Sequence, residues 1–169
     1  IIAKIATSGI YHMSVNGKFV CYGPARAGRG FFRVDEIDLT PFADQEQNTV
    51  IIEVCGYNAR SYYLIKQDSF LTAELSADGR VEAYTGNNFT ARINPEYIKK
   101  IQRYSFQRPF AESYRIIEGD TYFTDAVQGT EPLSYLPQPK YLKRSTPYPL
   151  YEKTGAKRIL GGTFSFSER

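Results

Sequence analysis

Two short turn signals constrain the fold of this chain more than any other feature of its sequence. Asn16-Gly17 separates the segments "IYHMSV" and "KFVCY", and Asp78-Gly79 separates "FLTAELS" from "RVEAYTG". Asn, Asp and Gly accept the positive φ angles that a two-residue type I′ turn requires, so each dipeptide predicts a tight β-hairpin. The first half of the chain is therefore expected to consist of antiparallel strands.

The segments beside these turns alternate as half-buried strands do. In "IYHMSV", Ile10 and His12 fall on one face and Tyr11 and Met13 on the other. Similar segments, separated by turn residues, continue over about the first ninety residues, which is typical of a β-sandwich or barrel. The 14 Tyr and 11 Phe residues also favour strands. The most apolar segment, "NTVIIEVCGY", predicts a strand buried on both faces.

One segment has the pattern of a helix. In "NPEYIKKIQRYSF", Asn94 is a suitable N-cap and Pro95 suits the first helical position. Tyr97, Ile98 and Ile101 then fall on one side. We expect one short helix here within an otherwise all-β domain.

The character of the sequence changes at Gly119. Five of the nine prolines lie between Pro132 and Pro149, where they block ladder hydrogen bonds and favour a stiff, extended path over a surface. The last segment, "KRILGGTFSFSER", predicts a strand of a following domain. We therefore divide the chain into a β-sandwich module at 1–118 and a proline-rich connector, with the start of another domain, at 119–169.

The sequence also limits the partners and the location of the protein. The chain opens at Ile1 inside an apparent strand and without Met, so we interpret it as a piece of a longer polypeptide. No segment has the length of a membrane span or the layout of a signal peptide, so no membrane partner is expected, and cytoplasm and periplasm both fit. The net charge of +3 comes from interspersed residues. Nucleic acid is not an expected partner, because phosphate binding needs clustered positive charge.

Cys21 and Cys55 both fall in predicted strands. Two interpretations stay open: buried free thiols, which behave as small hydrophobic side chains, or a disulfide between facing strands. A metal site built on the two cysteines and the single His is not expected, because no CxxC or HxxxH spacing occurs. We expect no cofactor, with one alternative: a structural calcium ion bound by loop oxygens of Asp68, Asp78 and Asn87.

Six motifs follow one another in a characteristic order. They are "YHMSVNGKFV", "GPARAGRGFFRVDEIDLTPF", "QNTVIIEVCGY", "SFLTAELSADGRVEAYTGNNF", "SFQRPFAESYRI" and "KYLKRSTPYPLYE". Their order and spacing resemble the N-terminal jelly-roll module of bacterial α-L-rhamnosidases, and more loosely the sugar-binding domain of large β-galactosidases. The stretch from Tyr11 to Leu75 carries most of the resemblance, which extends over most of the chain.

The resemblance implies a fold and a function. The implied fold is an antiparallel β-sandwich of the jelly-roll, galactose-binding-domain-like type. The parent enzymes are inverting glycoside hydrolases whose catalytic acids lie in a separate helical (α/α) barrel. The resemblance thus implies a non-catalytic accessory module that packs on the catalytic domain of the same parent chain and can contact carbohydrate.

The carboxylates of the chain agree with a non-catalytic role. Glycoside hydrolysis needs two carboxyl groups across a cleft, but Asp35 and Glu36 are adjacent in a strand and point to opposite faces. Glu53 is the one charged residue of an apolar strand, where it is expected at an edge of the sheet or beside an Arg. Glu112 is not predicted to form an acid pair with another carboxylate. No catalytic residue is predicted.

The loop "GPARAGRGFF" is expected to join the two sheets. Gly23, Gly28 and Gly30 let its backbone bend, and it is no phosphate cradle, because a strand and not a helix follows it. Arg26 and Arg29 are solvated in the simplest interpretation. The alternatives are contact with the neighbouring catalytic domain and, less favoured, direct contact with sugar.

The segment "GYNARSYY" supplies the candidate carbohydrate site. Sugar sites combine an aromatic surface with amide or guanidinium donors, and such groups collect in the strand-end loops of a sandwich. The candidate residues are Tyr57, Asn58, Arg60 and Tyr62. The alternative is that Tyr62 and Tyr63 alternate in a strand, one inside and one outside.

Three other functions stay open. A free-standing carbohydrate-binding lectin predicts glycan binding that is lost on Tyr57→Ala or Tyr62→Ala. A spacer without a ligand predicts no binding at all. A complete enzyme predicts hydrolysis of an aryl rhamnoside by the purified chain.

Overall fold

A computed structural model of the protein describes residues 1–44, 46–57, 59–60, 65–98, 100–103, 105, 107, 111–118, 139–152, 155 and 161–162. The regular structure within these ranges is almost entirely β-strand. The strands are β1 (Ile2–Thr7), β2 (Ile10–Val15), β3 (Lys18–Gly23), β4 (Phe31–Asp38), β5 (Val50–Cys55), β6 (Leu71–Ala77), β7 (Arg80–Tyr84) and β8 (Lys140–Lys143). A turn of 3-10 helix at Thr40–Phe42 follows β4.

The strands form two sheets that pack against each other. The larger sheet has the order β7-β6-β1-β4-β8 and the smaller sheet the order β3-β2-β5. Among the described strands, the pairings are antiparallel apart from the parallel pair of β4 and β8. The predicted all-β sandwich is therefore confirmed.

Both predicted hairpins are present. Asn16 and Gly17 have φ angles of 51° and 71° between β2 and β3, and Asp78 and Gly79 have φ angles of 49° and 76° between β6 and β7. Two consecutive positive φ angles are the condition for a type I′ turn. The two turn signals were thus sufficient to predict where the chain reverses.

Among the described strands the chain changes sheets four times, and the first two changes occur at short loops. Ser8 and Gly9 carry it from β1 in the larger sheet to β2 in the smaller one, and the loop 24–30 returns it from β3 to β4. Gly9 packs so closely on β5 that an added Cβ would lie 2.6 Å from the carbonyl oxygen of Cys55. The predicted role of the "GPARAGRGFF" loop as a connection between sheets is confirmed.

The core lies between the inward faces of the two sheets. Ala3 and Ile5 of β1 face Tyr11, Met13 and Val15 of β2, and all five side chains are buried. The predicted alternation of β2 is therefore confirmed. The prediction for β5 is only partly right: its six residues are half-buried, because it forms an edge of the smaller sheet.

The two cysteines are free thiols on opposite faces of the smaller sheet. Cys21 lies opposite Met13 in the core, whereas Cys55 lies opposite Ile10 on the outer face. A disulfide between them is excluded by this geometry, since directly paired residues share a face of the sheet.

The predicted helix at 94–106 is wrong for the residues that are described there. Tyr97 forms an antiparallel bridge with Tyr114, and the Ile98 N–H donates to the carbonyl of Ser113 at 2.9 Å. The Asn94 side chain accepts from the Glu96 N–H at 2.9 Å and also donates to Glu53. Tertiary pairing outweighs the capping signal, because so short a helix is marginal alone.

No helix in the described ranges has the length and apolar character that a membrane crossing needs.

Candidate functional site

The segment 139–152, which belongs to the predicted connector, is attached to the larger sheet. Its strand β8 pairs in parallel with residues 31–34 of β4. The Arg33 guanidinium donates to the carbonyl of Lys143 at 3.2 Å and to the hydroxyl of Ser145 at 3.3 Å. The described part of this segment does follow an extended path, but it also forms the ladder pairing that the prolines were expected to block, and β8 becomes an edge strand of the larger sheet.

A buried carboxylate lies where this segment meets the core. Asp35 of β4 has no exposed surface, and its Oδ2 accepts a hydrogen bond from the hydroxyl of Tyr11 at 2.6 Å. Arg144, which follows β8 directly, approaches the other oxygen, with 2.8 Å between Nη1 and Oδ1. The Arg144 side chain is only 8% exposed. A charge that is buried in this way requires both an opposite charge and hydrogen bonds.

The rest of the Arg144 guanidinium is also fixed. Its Nε donates to the carbonyl of Thr146 and its Nη2 to that of Pro147, both at 2.8 Å. The guanidinium lies 4.1 Å from the ring centre of Tyr148, whose hydroxyl accepts from the Glu36 N–H at 2.7 Å. Burial alone would lower the pKa of Arg144, but the hydrogen bond and charge of Asp35 raise it. We call Tyr11, Asp35, Arg144 and Tyr148 the Asp35 cluster.

Two neighbours complete the surroundings of Asp35. Cys21 Sγ lies 3.9 Å from the Tyr11 hydroxyl, and burial raises the pKa of the Cys21 thiol to about 11. Burial, followed by the hydrogen bond to Asp35, also raises the pKa of Tyr11. A Cβ added to Gly23 would clash with the Asp35 carboxylate and the Tyr11 ring. The cluster attaches the segment 139–152 to the sandwich, and its carboxylate is closed to any substrate.

The loop arginines lie at the surface beside this cluster. Arg26 and Arg29 are both exposed, and the carbonyl of Arg26 accepts from Arg33 Nε at 2.8 Å. A groove of about 690 Å³ runs along the loop, and Arg26, Pro149 and Tyr151 are among the residues that line it. The loop and the segment 139–152 therefore share one surface.

The predicted carbohydrate residues fall only partly within the described structure. Asn58 and Tyr62 lie outside the described residues. Tyr57 is half-buried, and burial, with a hydrogen bond to Cys55, raises its pKa. Arg60 is exposed, and its carbonyl accepts a hydrogen bond from Arg103. Tyr57 is thus directed towards β5, which does not favour it as an open platform for a sugar.

The other carboxylates have individual partners. Asp35 and Glu36 do point to opposite faces, as predicted, since Asp35 is fully buried and Glu36 is exposed. Glu53 lies on the edge strand β5, but its partners are His12, at 3.9 Å, and Asn94, at 3.2 Å, in place of the expected Arg. Glu112 is exposed and accepts from the nearby Tyr114 hydroxyl at 3.4 Å.

The candidate calcium ligands do not converge. Asp68 precedes β6 and Asp78 follows it, so the seven residues of β6 separate them by about 20 Å. Asn87 follows β7, which runs antiparallel to β6, and so lies at the end away from Asp78. In the part of the chain that the structure describes, no three His, Cys, Asp or Glu side chains form a group that could hold a metal ion.

An aromatic surface that was not predicted from the sequence lies on the outer face of the smaller sheet. It contains His12, Phe19, Tyr22 and Tyr151, with Glu53 beside it. The alternation of β2 places His12 outward, but Tyr151 comes from the distant segment 139–152, so only the tertiary structure brings the group together.

Comparison of the chain with protein-family models, with curated proteins and with solved structures finds no match. The similarity to the rhamnosidase module therefore stays a prediction that depends on the order of the sequence motifs.

Proposed function

We propose that this sandwich is a non-catalytic accessory module of an α-L-rhamnosidase-like glycoside hydrolase. In this proposal it has the jelly-roll topology, packs on the catalytic domain of the same parent chain and helps to shape the substrate entrance. The order of the sequence motifs supports the choice of family, and the attachment of the segment 139–152 supports the accessory role.

The observation that carries the proposal is the burial of Arg144 against Asp35. A linker that only tethers two domains needs no fixed contact with either of them, and domains joined in that way move freely. Here strand pairing, an ion pair and the hydroxyl of Tyr148 hold the segment on the sandwich. A module that sets the orientation of an adjoining domain needs such an attachment.

The surface around this attachment suits an adjoining domain. Arg26 lines the same groove as Pro149 and Tyr151, and the side chain of Leu150 is 84% exposed. Exposed apolar residues that are rimmed by polar groups are typical of a surface that another protein domain covers. Arg26, for which the sequence analysis considered an interdomain role, is part of this surface.

A hydrolysis assay tests the absence of catalysis. The purified 169-residue chain should not hydrolyse p-nitrophenyl α-L-rhamnopyranoside above the buffer rate, because the Asp35 carboxylate is fully buried and closed to substrate. Hydrolysis that is abolished by Glu53→Gln or Glu112→Gln, with folding intact by circular dichroism, would contradict the proposal.

The parent reading frame tests the family. It should continue beyond Arg169 into a helical barrel with paired acidic residues. A stop codon directly after Arg169 would contradict the accessory role. In the parent protein, Arg144→Ala should broaden the distance distribution in small-angle scattering, whereas the exposed Arg80→Ala on β7 should leave it unchanged.

A free-standing lectin is the second candidate, and the exposed aromatic surface on the smaller sheet favours it. The two candidates differ in a simple property. A lectin would bind sugar and occur without a catalytic domain, whereas the accessory module requires the adjoining domain whether or not it binds sugar.

A further inference from the structure

We propose that the outer face of the smaller sheet is a binding platform for a pyranose ring, formed by His12, Phe19, Tyr22 and Tyr151 with Glu53 at its rim. We call these five residues the outer-face platform. The inference goes beyond the proposed accessory role, because the platform would bind sugar whatever domain adjoins the sandwich, and its residues are different from those of the candidate site at residues 57–62.

The four rings of the platform form one continuous surface. The His12 and Phe19 ring centres are 5.4 Å apart with planes only 12° from parallel, and Tyr22 lies 4.9 Å from Phe19 and 5.3 Å from His12. Tyr151 meets Phe19 edge-on at 5.1 Å. Phe19, Tyr22 and Tyr151 are 38%, 53% and 40% exposed. An exposed group of this kind on a soluble domain usually marks a binding site.

A β-bulge explains why Phe19 and Tyr22 share a face although they are three residues apart. In a regular strand, residues i and i+3 point to opposite faces. The register between β2 and β3 shifts between Met13 and Ser14, and both Val20 and Cys21 point into the core. The extra residue returns Tyr22 to the outer face, opposite His12. Bulges redirect side chains in this way beside functional sites.

The Tyr151 ring is held in place before any ligand binds. β3 is an edge strand, and its free backbone groups at Tyr22 are both taken by the Tyr151 hydroxyl: it accepts from the Tyr22 N–H and donates to the Tyr22 carbonyl, each at 3.0 Å. A ring that is already fixed loses little conformational entropy on binding, which favours even a small ligand.

Polar groups adjoin the rings on the side away from Tyr151. The Glu53 carboxylate lies 3.9 Å from His12 Nδ1, and Asn94 Nδ2 orients it from behind at 3.2 Å. The side chains of His12 and Glu53 are 31% and 20% exposed. A carboxylate accepts two or more hydrogen bonds and an imidazole donates or accepts. Both can therefore bind hydroxyl groups at the edge of a ligand that stacks on the aromatic rings.

This combination matches a pyranose better than it matches a protein surface. One face of a galactose or rhamnose ring presents C–H groups that pack on aromatic rings, and its hydroxyls project at the rim. Small-ligand sites combine aromatic surface with a few polar groups in this manner. A protein partner would cover the Glu53 carboxylate together with the rings, and removing this charge from water costs free energy that its contacts with His12 and Asn94 must offset.

The test is a titration of the ¹⁵N-labelled chain with methyl β-D-galactopyranoside and methyl α-L-rhamnopyranoside, followed by amide chemical shifts. Glycerol at equal concentration is the control, because it has hydroxyls but no ring face. At least one glycoside should shift the amides of residues 12, 19, 22 and 53 with a dissociation constant in the millimolar range. Phe19→Ala and Tyr22→Ala should each weaken binding about tenfold, which corresponds to the loss of one aromatic contact. Tyr84→Ala, at an equally exposed tyrosine of β7, should bind as the wild type does.

Three results would overturn the proposal. The first is the absence of amide shifts with both glycosides at about 50 mM, well above a millimolar dissociation constant. The second is a set of shifts confined to residues outside the platform. The third is a set of shifts at the platform that depend on the protein concentration and not on the sugar concentration. All three use the wild-type protein, so they remain decisive if a variant fails to fold. None of these results bears on the adjoining catalytic domain, which the reading frame tests separately.

Discussion

Arg144 binds the carboxylate of Asp35, a residue 109 positions earlier in the chain, and the contact is almost completely closed to solvent. Asp35 also accepts from the Tyr11 hydroxyl of the opposite sheet. One carboxylate therefore joins the smaller sheet, the larger sheet and the segment 139–152. The stability of the folded state therefore depends strongly on the partners of this one buried carboxylate.

Removal of the Arg144 guanidinium should be severely destabilising. Arg144→Ala leaves the Asp35 charge buried with only Tyr11 as a partner, and loss of one member of a buried pair costs about 3–5 kcal/mol. Urea unfolding would measure this as a lower midpoint with an unchanged slope. Arg29→Ala, at an exposed arginine, should change the free energy of unfolding by no more than about 0.5 kcal/mol. An Arg144→Ala midpoint equal to that of Arg29→Ala would show that the ion pair contributes nothing.

Gly23 should tolerate no side chain. An added Cβ would enter the space of the Asp35 carboxylate and the Tyr11 ring, and overpacking of this kind costs about 1–3 kcal/mol. Gly28 of the same loop is the matched control, because a Cβ there meets no atom within 4 Å. Gly28→Ala should be neutral or slightly stabilising, since it reduces the freedom of the unfolded chain. Thermal melting of the two variants should separate them clearly, and equal melting temperatures would contradict the packing around Asp35.

Cys21 should make the protein lose stability in alkali. Its folded pKa of about 11 lies above the value near 9 of an exposed thiol, so the folded state keeps the proton that the unfolded state releases. The contribution is fully present below pH 9 and falls as the pH rises towards 11, by about 2–3 kcal/mol in total. Urea midpoints measured from pH 8 to pH 11 should fall less steeply for Cys21→Ala. An identical pH dependence in the two proteins would contradict the raised pKa.

The sequence predicted local features well and long-range ones poorly, for a physical reason. Turn geometry depends on the residues in the turn, so Asn16-Gly17 and Asp78-Gly79 were sufficient to predict both hairpins. The segment at Asn94 had local helical signals, but pairing of Tyr97 with Tyr114 outweighed them. Neither Asp35 nor Tyr151 has a local sequence signal of its role, since Arg144 lies 109 positions from Asp35 and Tyr22 lies 129 positions from Tyr151.

The same limit applies to the candidate site. Alternation correctly placed His12 on the face opposite Tyr11 and Met13, but the bulge that turns Tyr22 to the His12 face has no clear sequence signal. The sequence offered sugar-binding groups only within one short segment, at Tyr57, Asn58, Arg60 and Tyr62, and that site stays a prediction. The outer-face platform combines residues from β2, β3, β5 and the segment 139–152, and only the paired strands bring them together.

The last prediction separates the two roles of Asn16. Its positive φ angle suits the turn, but its side chain also joins the hairpin to the loop that precedes β5: Nδ2 donates to the Phe42 carbonyl and to Asn48 Oδ1, both at 3.1 Å, and Oδ1 accepts from the Thr49 N–H at 2.9 Å. Asn16→Gly keeps the turn and removes these bonds, so it should cost about 1–3 kcal/mol. Asp78→Gly is the matched control, because Asp78 has the same backbone geometry and its side chain makes no hydrogen bond to another described residue. Hydrogen exchange should show faster exchange of the Thr49 amide in Asn16→Gly only. Equal stability of the two variants would mean that Asn16 acts through its backbone alone.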